Sequence, residues 1–136
     1  MSYTRCIPVE FNHCDPAGIV FYPRYFEMTN SVVENFFADE AGLSFARMMA
    51  AGQGVPTARL ETDFHAPSRL GDRLEFTLAV TRIGGASVSL MLTARCAQEL
   101  RITANLTLVW VEAGRPAAWP EALRSRLAAH LERGAP

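Results

Sequence analysis

Asp15-Pro16, Gly18 and the helix start near Pro23 are the part of this sequence best suited to chemistry. They fall in one stretch, His13-Cys14-Asp15-Pro16-Ala17-Gly18-Ile19-Val20-Phe21-Tyr22-Pro23-Arg24-Tyr25. Pro16 biases Asp15 toward an extended backbone and so fixes where its carboxylate points. Gly18 permits a tight turn and a close approach of backbone to ligand. Pro23 suits the first helical position, where its missing N–H is not needed. The first N–H groups of a helix lack internal partners and lie at the positive end of its dipole. Such a place stabilises a developing oxyanion. A carboxylate and an oxyanion site joined by one short loop are the components of acyl transfer. Asp15 would attack the carbonyl as a nucleophile or activate a water as a general base. The competing reading is simpler: an Asp before Pro is a common turn residue.

Other chemistries fit less well. Cys14 adjoins Asp15, but neighbouring side chains in an extended segment point apart, so neither Asp15 nor His13 is placed to activate it. His13 is left to tune the loop or line a pocket. His65 reads as structural or pocket-lining, and His130 as a residue of a surface helix. Glu34, one turn after Asn30, reads as a solvated or interface carboxylate. The histidines are dispersed, and Cys6, Cys14 and Cys96 form no C-x-x-C pair. No metal site, cofactor or disulfide framework is expected. A G-x-S-x-G elbow is absent, which disfavours the common serine hydrolases. The net charge is −1 and Lys is absent, so a basic nucleic-acid surface is not expected. No apolar run approaches the roughly 18 residues of a spanning helix, and the first residues lack a signal-peptide core. A cytoplasmic protein without membrane contact is expected.

Elements must hold that loop. Residues 3–11 alternate as a strand, with Pro8 marking an edge or bulge. From Pro23 the period becomes helical, with Tyr22, Tyr25, Phe26, Thr29, Val33, Phe36 and Phe37 in register and Gly42 as the stop. A short helix is predicted over 44–51. Strands follow at about 55–65, 73–83, 86–97 and 100–112, with Gly84-Gly85 as a hairpin turn. Pro120 opens a final amphipathic helix carrying Leu123, Leu127, His130 and Leu131. One domain over 1–136 is expected, of α+β class, with a helix on one face of an antiparallel sheet.

The run Asp15-Pro16-Ala17-Gly18-Ile19-Val20, with Phe21, Tyr22-Pro23 and Tyr25, resembles the signature of the 4-hydroxybenzoyl-CoA thioesterase family of hotdog folds. Weaker similarity continues through Gly54-Val55-Pro56-Thr57, Ala66-Pro67, Leu70-Gly71-Asp72 and Leu74. The resemblance implies a curled sheet of about five strands around a long helix. It implies hydrolysis of an aromatic or short-chain acyl-CoA, with Asp15 catalytic and the Tyr22 backbone N–H polarising the carbonyl. Substrate contacts would come from His13, Gly18, Ile19, Val20, Phe21, Tyr25, Asn30 and Thr57. Asn30 stands where aromatic-substrate members carry Asp. At the CoA end, Gly84 and Gly85 replace basic residues, leaving Arg82 or Arg95 for the phosphates. A homodimer or homotetramer with active sites at the subunit interface is implied. An acyl-carrier-protein thioesterase, a hydratase or dehydratase of this fold, and a non-catalytic acyl-CoA binder are the alternatives.

Overall fold

The computed structural model describes residues 2–132. A five-stranded antiparallel sheet is built from β1 (Tyr3–Pro8), β3 (Thr57–Phe64), β4 (Arg73–Ile83), β5 (Ser87–Cys96) and β6 (Glu99–Val109), in the order β1-β4-β5-β6-β3. Alternation along β4 to β6 puts Leu74, Phe76, Leu78, Val80, Val88, Leu90, Leu92, Ile102, Ala104, Leu106 and Leu108 on the buried face. The helix α1 (Arg24–Phe36) lies against that face. Its buried residues Tyr25, Met28, Thr29, Val32, Val33 and Phe36 recur at three- and four-residue intervals, the stripe a sheet-facing helix needs. This is the α+β hotdog arrangement that the sequence leads one to expect.

The helix continues through a wider turn, Phe37–Ala41, to Gly42. Gly42 takes φ +77°, a left-handed stop that a side chain disfavours. The second helix, α2 (Phe45–Ala50), is capped by Ser44, whose side chain accepts the Arg47 N–H at 3.2 Å. A small second sheet joins β2 (Gln53–Gly54), β7 (Val111–Glu112) and β8 (Arg115–Pro116). The strand predicted at 55–65 is β3, which starts at Thr57 because Val55-Pro56 lies outside any strand, and the short β2 before it at Gln53–Gly54 was not foreseen. The strand predicted at 100–112 changes sheets at Trp110. The first strand ends at Pro8 rather than residue 11, since residues 11–13 wind into a single tight helical turn.

Helix α3 (Glu121–Ala128) closes the molecule over β4. Its last turn corrects the reading of His130 as a surface residue. His130 is 3% exposed, with its ring edge-on to Phe36 at 5.1 Å. The chain leaves the helix beyond Ala128 and forms a bridge to Val80, which draws the imidazole inward. No helix among the described residues is long and apolar enough to cross a membrane.

Candidate active site

The Asp15 segment is a small hairpin. Cys14 pairs with Val20, and the Asp15 N–H donates to the Ile19 carbonyl at 3.0 Å. The Phe21 N–H donates to the His13 carbonyl at 2.9 Å, closing the base. Inside the turn, the Asp15 carbonyl accepts the Gly18 N–H at 2.9 Å and the Asp15 carboxylate accepts the Ala17 N–H, also at 2.9 Å. Gly18 holds φ +81° with open space where a Cβ would sit, so backbone conformation, not crowding, selects glycine there. Asp15 is half-buried, with one carboxylate face unengaged by the protein among the described residues.

The hairpin delivers the chain to α1 through Phe21, Tyr22 and Pro23. Pro23 is already helical in conformation, at φ −64° and ψ −21°, but stands at the N-cap, one residue before the first helical position expected for it, and its carbonyl accepts the Phe26 N–H at 3.1 Å. The Arg24 and Tyr25 N–H groups are taken by the Phe21 and Tyr22 carbonyls. The Tyr22 N–H has no such acceptor among the described residues. It is thus an unsatisfied donor beside the positive helix end, the condition an oxyanion donor requires. The rings around it are exposed: Tyr22 by 59% and Phe64 by 49%. Phe64 gathers Tyr22, Tyr25 and Phe26 at centroid distances of 6.2, 5.8 and 6.4 Å. Phe21 packs edge-on against Tyr22 at 5.6 Å, so these rings form one cluster beside the helix start.

A separate chamber of about 460 Å³ runs between the middle of α1, α2 and the edge of the sheet. Phe26, Val33, Phe45, Met48, Leu60, Leu106 and Leu108 supply apolar walls, and Asn30 and Thr57 both line it. Among the described residues, no charged side chain does. Tyr22 and Asn30 are eight residues apart, about 12 Å along the helix axis. The chamber is therefore offset from the Asp15 hairpin within one chain.

The remaining site residues are dispersed. His13 turns back on its own segment, its Nδ1 accepting the Glu10 N–H at 2.9 Å. It borders a shallow cleft with Arg5, Glu10, Glu27 and Ser31, apart from the apolar chamber. The Cys14 thiol points to the Glu10 carbonyl at 3.6 Å, away from the turn that holds the Asp15 carboxylate. Arg82, on β4, pairs with Ser89 near the start of β5, and Arg95 lies six residues beyond Ser89 near the end of β5. That separation is about 20 Å, so one chain cannot direct both to one phosphate. Gly84 and Gly85 form the expected turn. Their carbonyls are taken by Arg124 at 2.8 Å and by the Trp119 N–H at 3.2 Å, so the C-terminal segment covers the turn.

Two groups of residues that sequence reasoning missed adjoin the hairpin. Ser68 is buried and its carbonyl accepts the Val20 N–H at 2.8 Å; Arg69 is bridged to Ile19. Arg101 and Asp72 make an ion pair at 2.7 Å beneath that loop. The Arg69 N–H and then Arg101 hold the Asp72 carboxyl below its ordinary range. No cluster of three or more His, Cys, Asp or Glu residues suited to a metal occurs among the described residues.

Comparisons with known proteins bear on the fold and the family. A 1,4-dihydroxy-2-naphthoyl-CoA hydrolase of Synechocystis is 30% identical over 69 residues, half of this chain. That match spans about half the length of the relative (49%). The solved structure of a Synechocystis 1,4-dihydroxy-2-naphthoyl-CoA thioesterase superposes with a TM-score of 0.87 at 20% identity, covering 100% of both chains. A Staphylococcus aureus protein solved in complex with CoA gives 0.90 at 19% identity, covering 99% of this chain and 89% of its own. These likenesses establish the fold. The family model described as the thioesterase-like superfamily matches residues 9–127, which take in the Asp15 hairpin, α1 and all but the first strand of the main sheet, and the chain belongs to that superfamily.

Proposed function

We propose that this chain is an acyl-CoA thioesterase, hydrolysing the thioester to a free acid and CoA, with Asp15 as the catalytic carboxylate. One observation carries the reading. A single hairpin holds a partly free carboxylate at its turn and leads directly to the unengaged Tyr22 N–H at the start of α1. The thioester carbonyl accepts that N–H, and Asp15 either attacks the carbonyl carbon or takes a proton from the attacking water. In both routes negative charge gathers on the carbonyl oxygen, where the donor and the helix dipole stabilise it.

The acyl group occupies the chamber beside Asn30 and Thr57. Its volume lies in the usual range for small-molecule sites, roughly 300–1,000 Å³. Its uncharged lining supports an uncharged, largely apolar acyl group. The relative named for 1,4-dihydroxy-2-naphthoyl-CoA adds support for a bicyclic aromatic group. The Asn30 amide can donate to or accept from a neutral hydroxyl or carbonyl on that group. Exposed β3 borders the chamber, and a second copy docking there encloses it, so the active unit is a homodimer. The CoA moiety lies along the exposed aromatic patch, where Phe21, Tyr22 and Phe64 present rings to solvent.

The test is release of free thiol from a panel of acyl-CoAs: acetyl, butyryl, decanoyl, benzoyl, 4-hydroxybenzoyl, phenylacetyl and naphthoyl. The expected result is turnover with a naphthoyl or other bulky uncharged group at least tenfold ahead of acetyl in kcat/KM. Turnover of no member contradicts the reading. Preference for acetyl contradicts the assignment of the chamber.

A further inference from the structure

The loop between β3 and β4 grips the Asp15 hairpin from both sides. On the side leading in, the Val9 N–H donates to the Asp72 carbonyl at 2.7 Å and the Gly71 N–H donates to the Val9 carbonyl at 2.9 Å. On the side leading out, the Val20 N–H donates to the Ser68 carbonyl at 2.8 Å, and Ile19 is bridged to Arg69. The spacing between the Asp15 carboxylate and the Tyr22 N–H therefore depends on where residues 67–72 sit.

Arg101 sets that position. Ala94 pairs with Ile102, but Arg95 pairs with Leu100, so Arg101 is the extra residue of a bulge on β6. A bulge re-aims a side chain that regular pleating would send straight out from the sheet. Here the side chain is only 11% exposed. One terminal nitrogen reaches the Pro67 carbonyl at 3.1 Å, the Ser68 hydroxyl at 3.2 Å and the Asp72 carboxylate at 2.7 Å. The Glu99 carboxylate lies 2.7 Å from Nε. The Arg101 carbonyl accepts the His65 and Ala66 N–H groups at 2.8 and 3.3 Å, which fixes the start of the same loop. Asp72 adds a second tie by accepting the Arg69 N–H at 2.9 Å. One guanidinium thus joins three points of a loop that has no other charged support among the described contacts.

We propose that Arg101, through Ser68 and Asp72, is a positioning residue for thioester hydrolysis, holding the Asp15 hairpin and the Tyr22 N–H at their working separation. This rests on the thioesterase reading above. Arg101 touches neither Asp15 nor Tyr22, and it acts on the alignment of the reacting groups. Its loss consequently lowers kcat more than it raises KM, because misalignment affects the transition state above all.

The experiment uses the full chain and the variants Arg101→Met, Arg101→Lys and Asp72→Asn, each first shown to be folded by circular dichroism. Two readouts are taken. Amide hydrogen exchange, without substrate, follows Val20 against the β5–β6 amides. Steady-state thiol release follows kcat and KM on the best acyl-CoA of the panel. Arg101→Met is expected to speed Val20 exchange at least tenfold while the β5–β6 amides change less than threefold. It should lower kcat at least tenfold with KM within threefold, and Arg101→Lys should recover part of kcat. Unchanged Val20 exchange in a folded Arg101→Met variant overturns the clamp. Changed exchange with kcat within twofold of the parent overturns the positioning role. A parent inactive on the whole panel, with Val20 exchange altered in the variants, sinks the thioesterase reading and with it the catalytic role, while leaving the clamp itself demonstrated.

Discussion

The groups on which the proposed site rests are the ones left free by the fold. Asp15 uses its carboxylate to order its own turn through Ala17 yet keeps acceptor capacity for a substrate or water. The Tyr22 backbone N–H is claimed by no carbonyl among the described residues. Asn30 brings a neutral amide to a chamber with no charged lining. Asn30→Asp introduces a carboxylate at that wall, and desolvating it against an apolar acyl group is unfavourable. The expected outcome is a loss of about tenfold in kcat/KM on uncharged acyl-CoAs, read by thiol release. The turn at Asp15-Pro16 and the helix start at Tyr22-Pro23 were legible from short-range rules, a proline and a glycine in the turn and helical phase along α1, whereas Asn30 and Thr57 were named only through the family resemblance. His130 and Arg101 were not legible in the same way. The amphipathic pattern ending in His130 carries no mark of the point where the chain leaves α3 and turns the imidazole inward. Arg101 sits in ordinary alternation in the sequence, and only the shift in pairing between β5 and β6 reveals that it is bulged.

At the scale of elements, the sheet and α1 form a frame, and two loops form the proposed site upon it. The element order and the major strands were readable from period alone. What was not readable was the break at Trp110 and the separate short strand at Gln53–Gly54, because where pairing stops and starts depends on the neighbouring strand rather than on the local sequence. The loop carrying Asp72 also has a pH signature. Its carboxyl is held below the usual range by the Arg69 N–H first and Arg101 second, so the ionised form favours the folded state. A group with a depressed folded pKa stabilises the fold above its unfolded value, about 3.9 for Asp, and that contribution is lost as pH falls through the lower folded value. Asp72→Asn should therefore lower the melting temperature at neutral pH and flatten its decline below about pH 4. Melting followed by circular dichroism across pH 2–7 measures this. An unchanged acid limb would contradict the role given to Asp72.

As a whole, the molecule buries one continuous core yet leaves an edge of its main sheet open. Among the described residues, strand β3 pairs only with β6, and seven of its eight residues are exposed, Leu60 and Phe64 among them. An open edge bearing apolar side chains is a surface that natural proteins cover or pair. A homodimer in solution is expected by light scattering, and Leu60→Asp should shift it toward monomer and lower hydrolysis at least tenfold. The central claim, however, is that Asp15 performs the chemistry, and the most direct measurement compares thiol release by the parent and by Asp15→Asn at saturating acyl-CoA. The account predicts that kcat falls on the order of a hundredfold or more while the variant keeps its fold and dimer. A variant that turns over within a fewfold of the parent would contradict it and return Asp15 to the role of a turn residue.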